Sequence, residues 1–143
     1  MSGLDAIAVR VESLAPAESV TTGQAQALLA EIREHLEALV DSGRTASIDL
    51  RSLPMTPGDL DELSAVLGTG AIDASVNALG RSEVRETRYA GVWWVRHFNE
   101  ADEPMLELIE ICRVPALLLA PIEDIAASLR AFGSPGTADE VQG

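Results

Sequence analysis

Apolar and polar positions along the chain change period several times, and each change marks an element. In residues 5–12, DAIAVRVE, Ile7, Val9 and Val11 recur at every second position, which predicts a short strand. SLAPAESVTTG interrupts that alternation. From about Thr22 to Asp41 the period is helical: Leu28, Leu29, Ile32, Leu36, Leu39 and Val40 form one stripe, and Glu31, Glu34 and Glu37 project away from it. Ser42-Gly43 ends the helix, glycine being suited to the left-handed position that follows one. TASIDLRSL, residues 45–53, predicts a second strand, with Ile48 and Leu50 set against Asp49 and Arg51. A second helix follows. Thr56 is its N-cap, Pro57 its first residue, and Asp59, Asp61 and Glu62 favour the positive end of its dipole. Leu60, Leu63, Val66 and Leu67 form its stripe, and Gly68 stops it.

Residues 71–79 alternate again, Ile72, Ala74, Val76 and Ala78 on one face and Asp73, Ser75 and Asn77 on the other. Gly80-Arg81-Ser82 is expected to turn the chain, and residues 83–98 read as one long strand bent at Gly91. A polar loop, NEADEP, leads to a return strand over 105–112. Pro121 opens a last helix at about 121–132, with Ile122, Ile125, Ala126 and Leu129 as its stripe. Residues 1–132 are thus expected to form a single domain and residues 133–143 a disordered tail. Consecutive strands joined by short turns imply an antiparallel meander, and helices with single stripes imply packing mainly on one face of it. The expected fold class is α+β, a two-layer sandwich.

The hairpin of this meander is apolar on both faces. Val92, Trp94 and Phe98 share one, and Tyr89, Trp93 and Val95 share the other. An antiparallel sheet with helices on one side is ordinarily polar on the other. Either both faces are covered, or one stays open as a binding patch anchored by an indole. The candidate partner-binding residues are Tyr89, Val92, Trp93, Trp94, Arg96, His97 and Phe98, with Glu100, Asp102 and Glu103 as an acidic rim.

Composition narrows the chemistry. The 143 residues are 47% hydrophobic, enough for a packed core, but only 3% aromatic, so the two tryptophans carry much of the aromatic area. A net charge of −13 repels nucleic acid and anionic lipid and favours basic partners. No run approaches the ~20 apolar residues of a membrane span, and no signal peptide opens the chain, so a cytoplasmic protein is expected. Cys112 is the lone cysteine, and His35 and His97 are the only histidines, a poor ligand set. Neither metal nor cofactor is expected. No nucleophile stands near His97 in sequence, and Glu107 and Glu110 point to opposite faces of a strand. The GTG at 68–70 lies between helix and strand, the reverse of a phosphate loop. No catalytic residue is assigned.

One resemblance adds to this reading. Leu53-Pro54-Met55-Thr56 precedes a helix, and Leu67-Gly68-Thr69-Gly70 precedes a strand. Glu86-Thr87, Gly91-Val92-Trp93, Val95-Arg96 and a strand ending in Val114-Pro115 follow in order. Over residues 48–120, about half the chain, this pattern resembles the HupH/HyaF family of hydrogenase expression/formation proteins. The resemblance implies an accessory, chaperone-like role in maturation of [NiFe] hydrogenase, with the iron–sulfur small subunit as client and no activity of its own. The partners it implies are a hydrogenase subunit or another hydrogenase accessory protein. Two other readings stand beside it. One is a small-molecule-binding or enzymatic domain with a pocket at Trp93, His97 and Glu107. The other is a structural oligomer, a homodimer that buries the hairpin.

Overall fold

The structure, a computed structural model, describes residues 20–133, in two compact units divided after Arg113. The strand expected at 5–12 and the tail beyond Gly133 lie outside the described residues.

In the first unit, helix α1 (Gln24–Ser42) is followed by strand β1 (Ala46–Asp49) and helix α2 (Pro57–Leu67). Strands β2 (Asp73–Ala78), β3 (Gly80–Glu86), β4 (Val92–Phe98) and β5 (Pro104–Ile111) complete it. The strands form one antiparallel sheet in the order β1-β5-β4-β3-β2. This is the α+β class expected. Two expected strands are divided, each for a local reason. The strand at 45–53 stops at Asp49, whose carboxylate accepts the Arg51 N–H at 3.0 Å and winds Leu50–Ser52 into a 3-10 turn. Residues 83–98 are two strands around a tight turn, with Val84 paired to Val95. The buried Thr87 makes this turn: its hydroxyl donates to the Val92 carbonyl at 2.8 Å and accepts the Tyr89 N–H at 3.2 Å. The turn expected at 80–82 lies one step earlier, at Leu79, because pairing continues to Ala78–Gly80. Gly80 has φ 113°, and a Cβ there would collide with the Phe98 carbonyl.

Both helices pack on one face of the sheet. Ala25, Leu28 and Ile32 of α1 and Leu63 and Leu67 of α2 cluster with Ile48, Val92, Trp94, Ile109 and Ile111. Val40, expected in the α1 stripe, is exposed. Thr56 caps α2 as expected, accepting the Asp59 N–H at 3.0 Å, while Asp59 accepts the Thr56 N–H, also at 3.0 Å. Asp59 does more than complement the dipole. It is buried and accepts the Thr22 N–H at 2.7 Å and the Thr22 hydroxyl at 2.6 Å, tying the start of α1 to α2. The opposite face of the sheet has a buried row of its own, Val84, Trp93 and Val95. The second unit holds a 3-10 turn (Ala116–Leu118) and helix α3 (Ile122–Phe132), preceded by Pro121.

Candidate functional site

Strand alternation sends Trp93 and Trp94 to opposite faces, and both are buried, at 3% and 5% exposure. Trp94 joins the core beneath the helices and donates its indole N–H to the Glu107 carboxylate at 2.7 Å. Trp93 donates to the Cys112 carbonyl at 3.1 Å. Of the two alternatives, covered faces or one open indole, the indoles follow the first. β4 is the middle strand of the sheet, and both of its faces are packed at these positions. Val92 is buried with them. Of the seven candidate residues, Tyr89 lies in the turn, 44% exposed, and Arg96, His97 and Phe98 are half-buried. These four do not form one patch. Arg96 lies on Trp94's face and His97 on the other, while Tyr89 is at the far end of the strand. The register does not bring together Trp93, His97 and Glu107, the pocket of the alternative enzymatic reading. Glu107 is the cross-strand partner of Arg96, so it shares Trp94's face, and the His97 ring Nδ1 lies 2.7 Å from the Ser82 hydroxyl.

The helix-bearing face is not covered throughout. Over β3 and β2 it carries a row that the register brings together: Arg81, Glu83 and Arg85 beside Arg96 and Glu107. A groove of about 440 Å³ opens there, lined by Asp73, Ser75, Glu83, Arg85, Trp94 and Arg96. A second depression of about 300 Å³ is lined by Leu50, Leu53, Met55, Leu60 and Glu107. The two lie side by side with the Trp94–Glu107 hydrogen bond at their border; together they are called the trough, charged at one end and mostly apolar, with Arg51, at the other.

The charges in the trough are mostly paired. Arg81 pairs with Glu83 and, at 3.0 Å, with Asp102; these partners, Asp102 first, hold its pKa above the ordinary arginine value. Arg96 lies 3.6 Å from Glu83 and 3.7 Å from Glu107. Both cations approach Phe98, with the Arg81 guanidinium 4.1 Å and the Arg96 guanidinium 5.2 Å from its ring centre. Arg85 is the exception. Its guanidinium lies 5.8 Å from the Trp94 ring, and its buried Nε has no hydrogen-bond partner among the described residues. An N–H withdrawn from water without an acceptor is costly. Sequence reading missed Arg81, Glu83 and Arg85 as site residues and set Glu107 with Trp93 and His97 instead of Arg96. With 83–98 read as one strand, Arg85 and Trp94 fall on opposite faces. Only the Thr87 turn brings them onto one.

Little in the arrangement suits covalent chemistry. Burial and the Glu110 charge push the Cys112 thiol up to about 11, so it is protonated at neutral pH. Burial raises the Glu110 carboxyl, and His97 offsets part of that rise. Among the described residues no cluster of three or more His, Cys, Asp or Glu side chains could hold a metal, and no helix is long and apolar enough to cross a membrane.

Two of the sequence marks behind the family resemblance, Leu67-Gly68-Thr69-Gly70 and Glu86-Thr87, meet at one end of the sheet. The Gly70 N–H donates to the Glu86 carbonyl at 2.8 Å, and the Arg88 N–H donates to the Leu67 carbonyl at 2.8 Å. A Cβ on Gly70 would strike the Thr87 carbonyl oxygen. These residues are joints of the fold.

Comparison with known proteins agrees with this construction. Residues 22–134 match the model of the HupH hydrogenase expression protein family, C-terminal conserved region. The chain is 35% identical over 104 residues to the hydrogenase expression/formation protein HupH of Rhodobacter capsulatus, covering 73% of this chain and 38% of that one. It is 35% identical over 82 residues to the hydrogenase-1 operon protein HyaF of Escherichia coli (strain K12), covering 57% and 29%. The chain thus spans about a third of the length of the curated relatives it matches, 38% of the HupH relative and 29% of the HyaF relative. A solved structure, the hydrogenase expression protein HupH from Thiobacillus denitrificans ATCC 25259, is similar with a TM-score of 0.77 and 41% identity, over 84% of this chain and 99% of that one.

Proposed function

The chain belongs to the HupH hydrogenase expression protein family, through its C-terminal conserved region, and from that premise we propose that it is a non-catalytic accessory protein of [NiFe] hydrogenase maturation. Its client in this reading is an immature hydrogenase subunit, the iron–sulfur small subunit. The trough on the helix-bearing face is the docking surface, and the observation that carries it is Arg85, whose guanidinium lies by Trp94 with a buried, unpartnered Nε. An extended client segment would place an oxygen acceptor on Arg85 and an aliphatic side chain against Leu53, Met55 and Leu60. Of the candidate hairpin residues, Trp94 and Arg96 line this surface. The acidic surface of the chain, net −13, would speed encounter with a basic client region, so the on-rate falls as salt rises.

The test is binding of the purified small-subunit precursor to wild type, Arg85→Gln and Met55→Asp, with thermal melts of each. Met55 packs partly against the core and the Arg85 Nε is buried, so the melts separate loss of folding from loss of binding. Loss of a charge-assisted hydrogen bond at Arg85 should weaken binding about 10-fold or more. Wild-type affinity in both variants would remove the trough as the docking surface. No binding by wild type would remove the small subunit as the client.

A further inference from the structure

Strand β2 is an edge of the sheet, with β3 as its one neighbour among the described residues. The Glu86 N–H donates to the Ile72 carbonyl at 2.9 Å, and bonded pairs alternate along an antiparallel ladder, so Ile72, Ala74 and Val76 bond to β3. The backbone groups of Asp73, Ser75 and Asn77 therefore point outward from the sheet. Edge strands are ordinarily very short, or guarded by a lysine, a proline or a bulge. The other edge, β1, has four residues and runs into the turn wound by Asp49. β2 has six residues, Asp-Ala-Ser-Val-Asn-Ala, in unbroken register and with none of these guards. Helices α1 and α2 cluster with residues of β1, β4 and β5 and so stand away from β2. We propose that β2 pairs antiparallel with β2 of a second copy of the chain, joining the two sheets into one about a two-fold axis at Ser75.

The strand is complementary to itself in one register. With Ser75 facing the other copy's Ser75, Asp73 faces the other copy's Asn77, twice by symmetry. All three outward residues then exchange backbone hydrogen bonds in both directions. A slip of two residues either way leaves Asp73 or Asn77 without a partner in the facing strand, and a longer slip sets Asp73 against Asp73. On the trough side of the sheet the Asn77 amide donates to the Asp73 carboxylate of the other copy, and the Ser75 hydroxyls meet at the axis. On the opposite side Ile72 faces Ala78, and Val76 faces Ala74, so each bulky side chain meets a small one. Ile72, 43% exposed in the single chain, gains cover there. The other copy's Asn77 also stands beside Asp73 on the wall of the groove of about 440 Å³. Two chains of charge −13 repel at long range, and one strand per copy makes less than the ~1,200 Å² of a standard interface. The dimer is accordingly weak, with a dissociation constant on the order of 100 μM.

Sedimentation velocity and amide hydrogen exchange of the full chain, over concentrations bracketing that value, test the pairing. Wild type should show a reversible monomer–dimer equilibrium. The amides of Asp73, Ser75 and Asn77 should exchange fast in dilute protein and become protected as concentration rises, while those of Ala74 and Val76 are protected throughout. Ser75→Lys sets like charges opposite each other at the axis and should remain monomeric. Asn77→Asp sets a second carboxylate against Asp73 and should weaken the dimer about 2- to 10-fold. Adding Asp73→Asn to Asn77→Asp restores both the pairing and the net charge, and should recover wild-type association. If Ser75→Lys lowers the melting temperature, the exchange of Asp73 with Asn77 still decides, since both side chains are exposed. A monomeric wild type, a Ser75→Lys dimer of wild-type strength, or edge amides protected equally at every concentration overturns the proposal. A double exchange that associates no better than Asn77→Asp alone overturns the register. None of these results depends on the client proposed for the trough.

Discussion

Replacing either tryptophan by alanine is expected to destabilise the fold severely, and by similar amounts. The two indoles are adjacent in sequence yet serve different faces of the sheet, at 5% exposure for Trp94 and 3% for Trp93. Deleting a buried indole costs ~3–5 kcal/mol through lost transfer energy and the cavity left behind. Each variant also loses one hydrogen bond, ~1 kcal/mol. In Trp94→Ala the lost acceptor is Glu107, and in Trp93→Ala it is the Cys112 carbonyl. In a domain of this size 1 kcal/mol moves the melting temperature by roughly 4 °C or more, so each variant should melt at least ~12 °C below wild type. Far-UV circular dichroism melts and urea midpoints give the two shifts. The single-tryptophan variants Trp93→Phe and Trp94→Phe add a check, since the remaining indole in each should emit blue-shifted from free tryptophan until the chain unfolds. An alanine variant melting within ~3 °C of wild type would put that indole in solvent and refute the two-sided core.

Two further outcomes follow from buried titratable groups. Hydrogen bonds from Thr22, first through its hydroxyl, and from Thr56 hold the Asp59 carboxyl at about 2, against the ~3.9 of an unfolded chain. Its folded pKa is depressed, so its contribution to stability is present above about pH 4 and is lost as the pH falls toward 2. Asp59→Asn should flatten the pH dependence of the urea midpoint in that window, and an unchanged slope would show that the Thr22 tie does not hold the carboxylate in its charged form. Cys112, raised to about 11 and buried, should react very slowly with iodoacetamide at neutral pH and rapidly once urea unfolds the chain. Rapid alkylation of the native protein would contradict that burial.

Periodicity alone located α1, α2, α3, β2 and β5 to within a few residues, because each has one apolar face and recognisable ends. Thr56-Pro57 marks the start of α2 through local chemistry, a capping hydroxyl followed by a ring that suits the first helical turn. Two features resisted the same reading. The alternation of β3 runs into that of β4 through a turn containing Tyr89, which itself looks like a strand residue, and no Asn-Gly or Pro-Gly pair marks the reversal. Asp59 resembled an ordinary N-terminal acid, since its partner Thr22 lies 37 residues earlier and nothing local points to it.

The missed turn explains why the candidate site was illegible although the family was not. A reversal over Thr87–Gly91 exchanges the faces of all residues before it relative to all residues after it. Arg85 thereby passes from the side opposite Trp94 to the same side, where its guanidinium lies 5.8 Å from the indole ring. Arg81 likewise comes within 4.1 Å of the Phe98 ring. The residues carrying the resemblance, Gly70, Glu86 and Thr87 among them, are close contacts that any chain with this topology must keep, so they report the fold whatever binds to it. The trough depends instead on which side chains the register sets side by side across β3, β4 and β5. Its most distinctive member is an arginine Nε that the fold buries beside an indole and leaves without an acceptor among the described residues. A group so placed costs the isolated chain stability, which is the physical reason to look for its partner on another molecule.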